Sequence, residues 1–280
     1  MPFRRTSIDS SQRTGFYSPK RSRVVGSRIA HSISPDPDAE AYLLAVEAAD
    51  GEPLEAGVVN VVTDFVVGCK SDGIWDAVKA SCILAGARTL AGALVPLVGT
   101  APTNYNFVEG DYSRTTGLVG DYSTKYLSSN RANNADPQNN NHNAAYVSQT
   151  GASGLAVIAG GVSNTGDNYT DLIPTISGTR HTNRNSSNTT NGTYTIGLVA
   201  TSRDSSASYT YKVPGASQAT RVISSQTPSS TIVTIFARGG GASGFSDHRI
   251  SFYSIGESLD LALLDNRVTV LMSGIQNAIP

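Results

Sequence analysis

The most constraining feature of this sequence is a series of short runs rich in β-branched and aromatic residues, which begins near residue 104 and ends near residue 255. Turn clusters of Gly, Asn, Ser and Thr separate the runs, and the spacing of about ten residues is typical of antiparallel sandwiches. The sequence therefore predicts a mainly β fold, an antiparallel sandwich. The nine predicted strands are Tyr105–Tyr112, Ala144–Ser148, Leu155–Ile158, Leu172–Ser177, Thr193–Thr201, Tyr209–Val213, Thr220–Ser225, Thr231–Arg238 and Arg249–Ile255.

The composition supports a β fold rather than a highly charged helical one. Charged residues make up only 15% of the chain, below the roughly 25% usual for globular proteins. This excludes a helical enzyme rich in Lys and Glu and disorder caused by net charge. The intervals Asn130–Asn143 and His181–Gly192 are so polar that we expect long exposed loops. No apolar run reaches the roughly 18 residues of a membrane span, so we expect a soluble protein.

The residues before the strands carry signals for short helices. Asp36 and Pro37 form a helix start, because Asp caps free amide groups and Pro is tolerated in the first turn. We expect three parts: an extended arm over residues 1–34, a helical module with a connector over 35–102, and the sandwich with a C-terminal helix over 103–280. The predicted helices run from Pro37 to about Ala49, from Glu52 to Val67, from Ser71 to just before Gly86, and from Leu259 to Ile275.

Charge is segregated along the chain. Residues 1–33 carry seven basic residues and one acidic residue, so their net charge is +6, and the remainder of a chain with net charge −1 carries −7. This arm could neutralise nucleic-acid phosphates or dock on an acidic protein surface. The acidic body has no basic stripe that would extend a nucleic-acid contact, so protein docking is favoured. The expected docking residues are Arg4, Arg5, Arg13, Lys20, Arg21, Arg23 and Arg28.

Two motifs resemble those of a known fold family. The segment Gly117-Leu-Val-Gly-Asp-Tyr-Ser-Thr-Lys-Tyr-Leu127 is similar to the opening strand pair of laminin-G-like domains, which are concanavalin A-like jelly rolls. The segment Phe252–Leu259, followed by Leu264, Arg267, Val268 and Leu271, resembles the last strand and short terminal helix of the same domains. This resemblance covers about residues 103–275 and implies a two-sheet jelly-roll β-sandwich.

A third motif, Gly68–Leu90, resembles a helical module that precedes such a jelly roll in structural proteins of tailed bacteriophages, cyanophages among them. The resemblance implies a jelly roll with carbohydrate- or protein-binding relatives that is displayed on a virion, and it does not imply catalysis. Our first hypothesis is therefore a non-enzymatic virion structural protein. We expect a capsid decoration (cement) protein that is anchored by its arm and displays the jelly roll. The implied partners are other virion proteins, either the major capsid protein or a tail or baseplate protein. A homo-oligomer, with a trimer as the expected state, fits the symmetry of virions.

The fold alone does not decide function, so two alternatives stay open. In the first, the chain is a tail-fibre or adhesin module that binds host-surface glycan through exposed tyrosines, for which Tyr169, Tyr194 and Tyr211 are the candidates. In the second, it is a glycan depolymerase, with Glu109 and Asp111 as a carboxylate pair on one face of a strand. No nucleic acid or membrane partner is expected.

Metal and redox chemistry have little support in the sequence. Cys69 and Cys82 are thirteen residues apart with no nearby ligand partner, so we expect buried apolar thiols. The histidines His31, His142, His181 and His248 are scattered singly. No cofactor is expected. Calcium, which the laminin-G resemblance implies as an alternative, would need loop oxygens from Asp121, Asp136, Asp167 and Asp171.

Overall fold

The structure, a computed structural model, describes Met1 and residues 34–153, 155–161, 166–173 and 177–280. The predicted fold class is confirmed, because the strands form two antiparallel sheets that face each other as a sandwich. The basic arm lies outside the described residues. The helices are α1 (Pro37–Asp50), α2 (Ala56–Ser71), α3 (Leu90–Ala93) and α4 (Leu261–Ala278).

Within the described residues, the first sheet has the strand order β13-β12-β11-β6-β15-β4-β3, with β1 also paired to β15, and the second has the order β10-β9-β8-β7-β14-β5-β2. The strands are β1 (Val78–Ile83), β2 (Thr103–Tyr105), β3 (Tyr112–Ser113), β4 (Gly117–Val119), β5 (Tyr126–Ala132), β6 (Asn141–Gln149), β7 (Ala156–Ala159), β8 (Asn168–Ile173), β9 (Gly178–Asn183), β10 (Thr189–Asn191), β11 (Gly197–Arg203), β12 (Ser208–Lys212), β13 (Ala219–Val222), β14 (Ile232–Ile235) and β15 (Arg249–Gly256).

The start of α1 follows from its sequence. The Asp36 carboxylate accepts hydrogen bonds from the backbone N–H groups of Asp38 and Ala39, at 3.0 and 3.2 Å. Pro37 occupies the first turn, where its missing N–H costs nothing. Gly51 ends the helix with φ 72°, a left-handed conformation that favours glycine. The predicted start of this helix is confirmed.

The predicted third helix is wrong. Residues Trp75–Ala77 form one 3₁₀ turn, and Val78–Ile83 form strand β1, which pairs with β15. Ile83 faces the helices, whereas Ala80 and Cys82 face the space between the sheets. A strand that is buried on both faces does not alternate between apolar and polar residues. Without that alternation, its sequence is easily mistaken for that of a buried helix. The division of the chain at residue 102 stays a prediction. The predicted helical module over residues 35–102 nevertheless contributes strand β1 to the sandwich.

Two apolar cores hold these layers together. One lies between the helices and the outer face of the first sheet, where the Phe65 ring of α2 meets the Phe252 ring of β15 edge-on at 5.7 Å. The other lies between the sheets and contains Leu118 and Leu127. The motif Gly117–Leu127 therefore spans β4 and β5, which lie in different sheets. In the described part of the chain, no helix is both long and apolar enough to cross a membrane.

One end of the space between the sheets is polar, which the sequence analysis did not predict. Asn141 and Asn143 of β6 are buried, as are Asn168 and Asn183, although exposed loops were expected for most of these segments. The polar groups are buried because they bond across the sheets. The Asn168 Nδ2 donates to Asn141 Oδ1 at 2.9 Å, and the Asn183 Nδ2 donates to Thr201 Oγ1 at 3.2 Å. The expectation of exposure is thus wrong for Asn141, Asn143 and Asn183.

Candidate ligand-binding surface

The edge of the second sheet presents a pair of stacked tyrosine rings. Strand β2 is the outermost strand there, and Tyr105 lies directly opposite Tyr126 of β5. The two rings stack with centroids 4.2 Å apart and an interplanar angle of 6°. The Tyr105 residue is 41% exposed, whereas Tyr126 is half-buried beneath it. We call these two side chains the tyrosine platform.

The platform is supported from below. Gly241, at φ 92°, lies so close that a Cβ at this position would collide with the Tyr126 ring. The Phe245 ring lies 6.3 Å from the Tyr126 ring at an angle of 58°. Burial, followed by the proximity of Tyr105, raises the pKa of the Tyr126 hydroxyl above its ordinary value. The lower ring is therefore enclosed by Tyr105, Gly241 and Phe245.

Two polar segments flank the platform. Asn106 has φ 68°, and its Nδ2 donates to the Thr124 carbonyl at 2.9 Å, which ties the end of β2 to the loop over residues 120–125. In that loop the Asp121 carboxylate accepts from the N–H groups of Ser123, Thr124 and Lys125 at 2.8–3.0 Å. Burial acts to raise the pKa of Asp121, but these bonds and one from the Thr124 hydroxyl lower it by more, so the pKa lies below its ordinary value. The loop is thereby held in one conformation, with Tyr122 exposed.

The tyrosines proposed from the sequence occupy other places. Tyr169 in β8 is only 2% exposed, with the Arg238 guanidinium 4.3 Å from its ring centroid, so the expectation that it is exposed is wrong. Tyr194 is half-buried, and its hydroxyl donates to the Gly151 carbonyl. Tyr211 is half-buried, with its ring 4.3 Å from that of His181. Their use in glycan binding stays a prediction.

The proposed carboxylate pair has structural partners. Residues Glu109–Asp111 form a 3₁₀ turn, so the expectation that the two side chains share one face of a strand is wrong. The Glu109 carboxylate accepts from the Leu90 N–H at 3.0 and 3.2 Å, at the start of α3. The Asp111 carboxylate lies 2.6 Å from Lys125 Nζ and accepts from the Val108 N–H at 2.8 Å. Both groups hold segments of chain together.

Three of the four acidic residues expected for calcium are bonded to other groups. Asp121 binds the amides of its own loop, and Asp136 pairs with the Arg131 guanidinium at 2.5 Å. The fully buried Asp171 carboxylate pairs with the guanidinium groups of Arg180 and Arg238. In the part of the chain that the structure describes, no three His, Cys, Asp or Glu side chains are grouped to hold a metal ion.

The remaining reactive side chains are buried. Cys69 and Cys82 are free thiols, and burial raises the pKa of each to about 12. Burial lowers the pKa of His142 to about 4 and that of His181 to about 3. The His142 ring is held by the Glu257 carbonyl and the Ser254 hydroxyl. The docking residues of the arm and His31 lie outside the described residues.

Sequence reasoning did not identify the platform, although a signal is present. The residues Thr103-Asn104-Tyr105-Asn106 are polar on both sides of the tyrosine. A strand without an apolar face gains little stability from burial, so such a segment favours an exposed edge strand. The predicted strand Tyr105–Tyr112 begins with this tyrosine, but its prediction did not use the asparagines on either side. Its companion Tyr126 could be found only from the pairing of β2 with β5.

The sequence matches no protein-family model and no curated protein. Solved structures match at the level of the fold. The binding domain of botulinum neurotoxin serotype D is 10% identical over 70% of this chain and 51% of that chain, with a TM-score of 0.47, so the chain spans about half of that protein's length. A CBM40 domain of a Ruminococcus gnavus IT-sialidase, bound to α2,3-sialyllactose, is 12% identical over 47% of this chain and 82% of its own, with a TM-score of 0.36. The enzymatically active domain of tailspike protein 2 of bacteriophage CBA120 is 10% identical over 63% of this chain and 29% of that chain, with a TM-score of 0.36.

Proposed function

We propose that this chain is a non-enzymatic attachment protein whose jelly roll binds a neutral glycan at the tyrosine platform. The observation that carries the proposal is the Tyr105 side chain, which is 41% exposed and stacked on Tyr126 with ring centroids 4.2 Å apart. The C–H faces of hexose rings pack on flat aromatic rings, and nearby hydroxyl groups need hydrogen-bonding side chains. Asn106 lies beside the platform, and because its Nδ2 donates to the Thr124 carbonyl, its side-chain oxygen is the group that would accept from a sugar hydroxyl.

The charges around the platform favour a neutral ligand. The Asp111 carboxylate is paired with Lys125, and the Asp121 carboxylate is occupied by the amides of its own loop. The Lys125 ammonium is therefore not free for an anionic sugar, and neither of these two carboxylates is free for a cationic one. A platform on an open sheet edge suits an internal stretch of a long polymer. Such a site binds weakly by itself, so avidity through several copies is part of the proposal.

The experiment is a glycan array with the full chain, followed by titration of the best ligand by calorimetry. We expect binding to neutral hexose polymers. Tyr105→Ala should weaken binding at least tenfold, which corresponds to about 1.4 kcal/mol. Tyr105→Phe is the matched control, because it keeps the stacked ring and should bind within a factor of about two of the unaltered chain. Equal affinity of Tyr105→Ala and the unaltered chain would refute this function, as would an array without a neutral ligand.

The place of action is a second part of the proposal. We propose that the chain is displayed on a virion, as a capsid decoration protein or on a tail fibre, and that the arm anchors it to an acidic protein surface. The net charge of +6 on residues 1–33 supports this anchoring role. Deletion of these residues should abolish binding to particles while the sandwich stays folded. Normal occupancy of particles by the shortened chain would contradict it.

A further inference from the structure

The first sheet ends in a strand whose outer edge is open. Strand β13 pairs on one side with β12 and is the last strand in the order of that sheet. The pairing continues beyond the strand, because the Ile223 N–H donates to the Ala207 carbonyl at 2.8 Å. The Ile223 carbonyl in turn accepts from the Arg203 guanidinium at 3.4 Å. The extended edge thus runs from Ala219 to at least Ser224.

The backbone groups along this edge alternate in direction. Because the N–H and C=O of Ile223 point inwards, those of its neighbours Val222 and Ser224 point outwards, and so do those of Thr220. No described strand lies on that side of β13. The side chains of these three residues are exposed, and Val222 is 84% exposed. The result is a row of free donors and acceptors with a bare valine at its centre.

This edge lacks the features that usually protect an exposed strand. Proteins cover such edges, or place Pro, Lys or a bulge on them, to prevent pairing with another chain. Residues 219–225, with the sequence Ala-Thr-Arg-Val-Ile-Ser-Ser, contain no Pro and no Lys. The single charge, on Arg221, is turned away, because its guanidinium donates to the Ser187 carbonyl and hydroxyl at 2.9 Å. Of the other outer strands, β2, β3 and β10 are only two or three residues long, and β1 is bonded on its outer side, where Ser81 pairs with Val98.

We propose that β13 pairs with β13 of a second copy of this chain, antiparallel about a twofold axis that passes beside Val222. In this register, Val222 lies opposite Val222, and Thr220 lies opposite Ser224. These are the residues whose backbone groups point outwards, so each opposing pair exchanges two hydrogen bonds, about six in total. The first sheets of the two copies then form one continuous sheet.

The side chains favour a second copy over an unrelated strand. Arg221 lies opposite Ile223 in this register, so no two like charges face each other. The two exposed valines cover each other, and the Thr and Ser hydroxyls meet as a cross-strand pair. A contact of this size is small and therefore weak, so the dimer is expected to be concentration-dependent. The inference does not depend on the glycan proposal and replaces the expected trimer with a dimer.

The experiment is sedimentation velocity of the full chain over a concentration series, with charges placed on the twofold axis. Val222→Lys and Val222→Glu should each be monomeric where the unaltered chain dimerises, because two like charges then face each other. An equimolar mixture of the two variants should restore the dimer. Val270→Lys is the matched control, since this valine on α4 is 60% exposed and lies outside the edge; it should dimerise like the unaltered chain.

Several outcomes would overturn this inference. The first is an unaltered chain that stays monomeric throughout the concentration series. The second is an oligomer that persists in Val222→Lys, since that would place the interface elsewhere, for example on the arm. The third is a mixture of Val222→Lys and Val222→Glu that stays monomeric. Circular dichroism of each variant verifies the fold, which an exposed position tolerates.

Discussion

The two ends of the space between the sheets differ in the side chains that fill them: one end is apolar and the other is polar. At one end, Leu118, Leu127, Ile235 and Ile250 are fully buried and pack on one another. At the other end, the same layer contains Asn143, Asn168, Asn183, His181 and Arg203, which are equally buried. Apolar groups gain stability from burial in any close-packed arrangement, whereas each buried polar group needs a correctly placed partner. The polar end is therefore the more specific half and the more vulnerable one.

The polar end does not satisfy all its groups from within the described residues. Thr170 Oγ1, Thr179 Oγ1, Asn183 Oδ1 and Asn143 Nδ2 are buried without a hydrogen-bond partner among the residues that the structure describes. Each such group lowers the free energy of unfolding by about 1–3 kcal/mol. We therefore expect this end of the sandwich to open first under denaturing conditions, and to exchange its amide hydrogens before the apolar end.

The largest loss of stability should appear when a central side chain is removed from each end. Arg203 is fully buried and donates to the carbonyls of Asn183, Ser205 and Ser208 at 2.9–3.1 Å. Arg203→Leu keeps much of the volume but leaves these carbonyls without a donor, so we expect a loss of about 4 kcal/mol in unfolding free energy. The measurement is urea denaturation at pH 7.

The comparison variant for Arg203→Leu is Leu118→Ala at the apolar end, which should lose about 3 kcal/mol through the cavity it creates. The two variants should also differ in hydrogen exchange. Arg203→Leu should release amides in β9 and β11, and Leu118→Ala those in β4 and β15. If Arg203→Leu were as stable as the unaltered chain, the polar end would not depend on this network.

These contrasts explain how far sequence reasoning reached. The spacing of the strands and the Asp36 cap are local signals, so the sandwich and the start of α1 were predictable. The polar layer was not, because Asn168 and Asn141 become partners only when the two sheets face each other. In the same way, the choice of tyrosine depended on strand order. Tyr169 lies in an inner strand of its sheet and Tyr105 in an outer one, which no local pattern distinguishes.

Acid should weaken the polar end through His181. Burial lowers the pKa of His181 in the folded state to about 3, while in the unfolded chain it stays near 6.5. The unfolded state therefore binds more protons below pH 6.5, and stability falls as the pH falls from 6.5 towards 3. Between pH 7 and pH 5 the loss should be about 2 kcal/mol for this histidine. The measurement is the urea midpoint across that pH range.

Variants assign the pH effect to each histidine. His181→Gln should remove about 2 kcal/mol of the pH dependence without removing all of it, whatever its effect at pH 7. His142 faces the helices rather than the second sheet, and burial lowers its pKa to about 4. His142→Gln should remove a similar share. An unchanged pH slope in His181→Gln would show that its ring titrates normally in the folded protein.

The smallest predicted effect is a change in stability on Thr→Val substitution. It should have opposite signs at two buried threonines of the second sheet. The Thr179 hydroxyl, at the polar end, has no hydrogen-bond partner among the described residues, whereas the Thr234 hydroxyl in β14 donates to the Ala237 carbonyl at 2.8 Å. Thr179→Val replaces an unsatisfied hydroxyl with a methyl group of similar size, so it should stabilise the protein by about 1 kcal/mol. Thr234→Val removes an existing hydrogen bond and should destabilise the protein by about 1 kcal/mol.

Thermal unfolding of the two variants side by side is the measurement. Destabilisation of both by equal amounts would mean that the Thr179 hydroxyl is satisfied after all and that the polar end is as fully bonded as the rest of the sandwich.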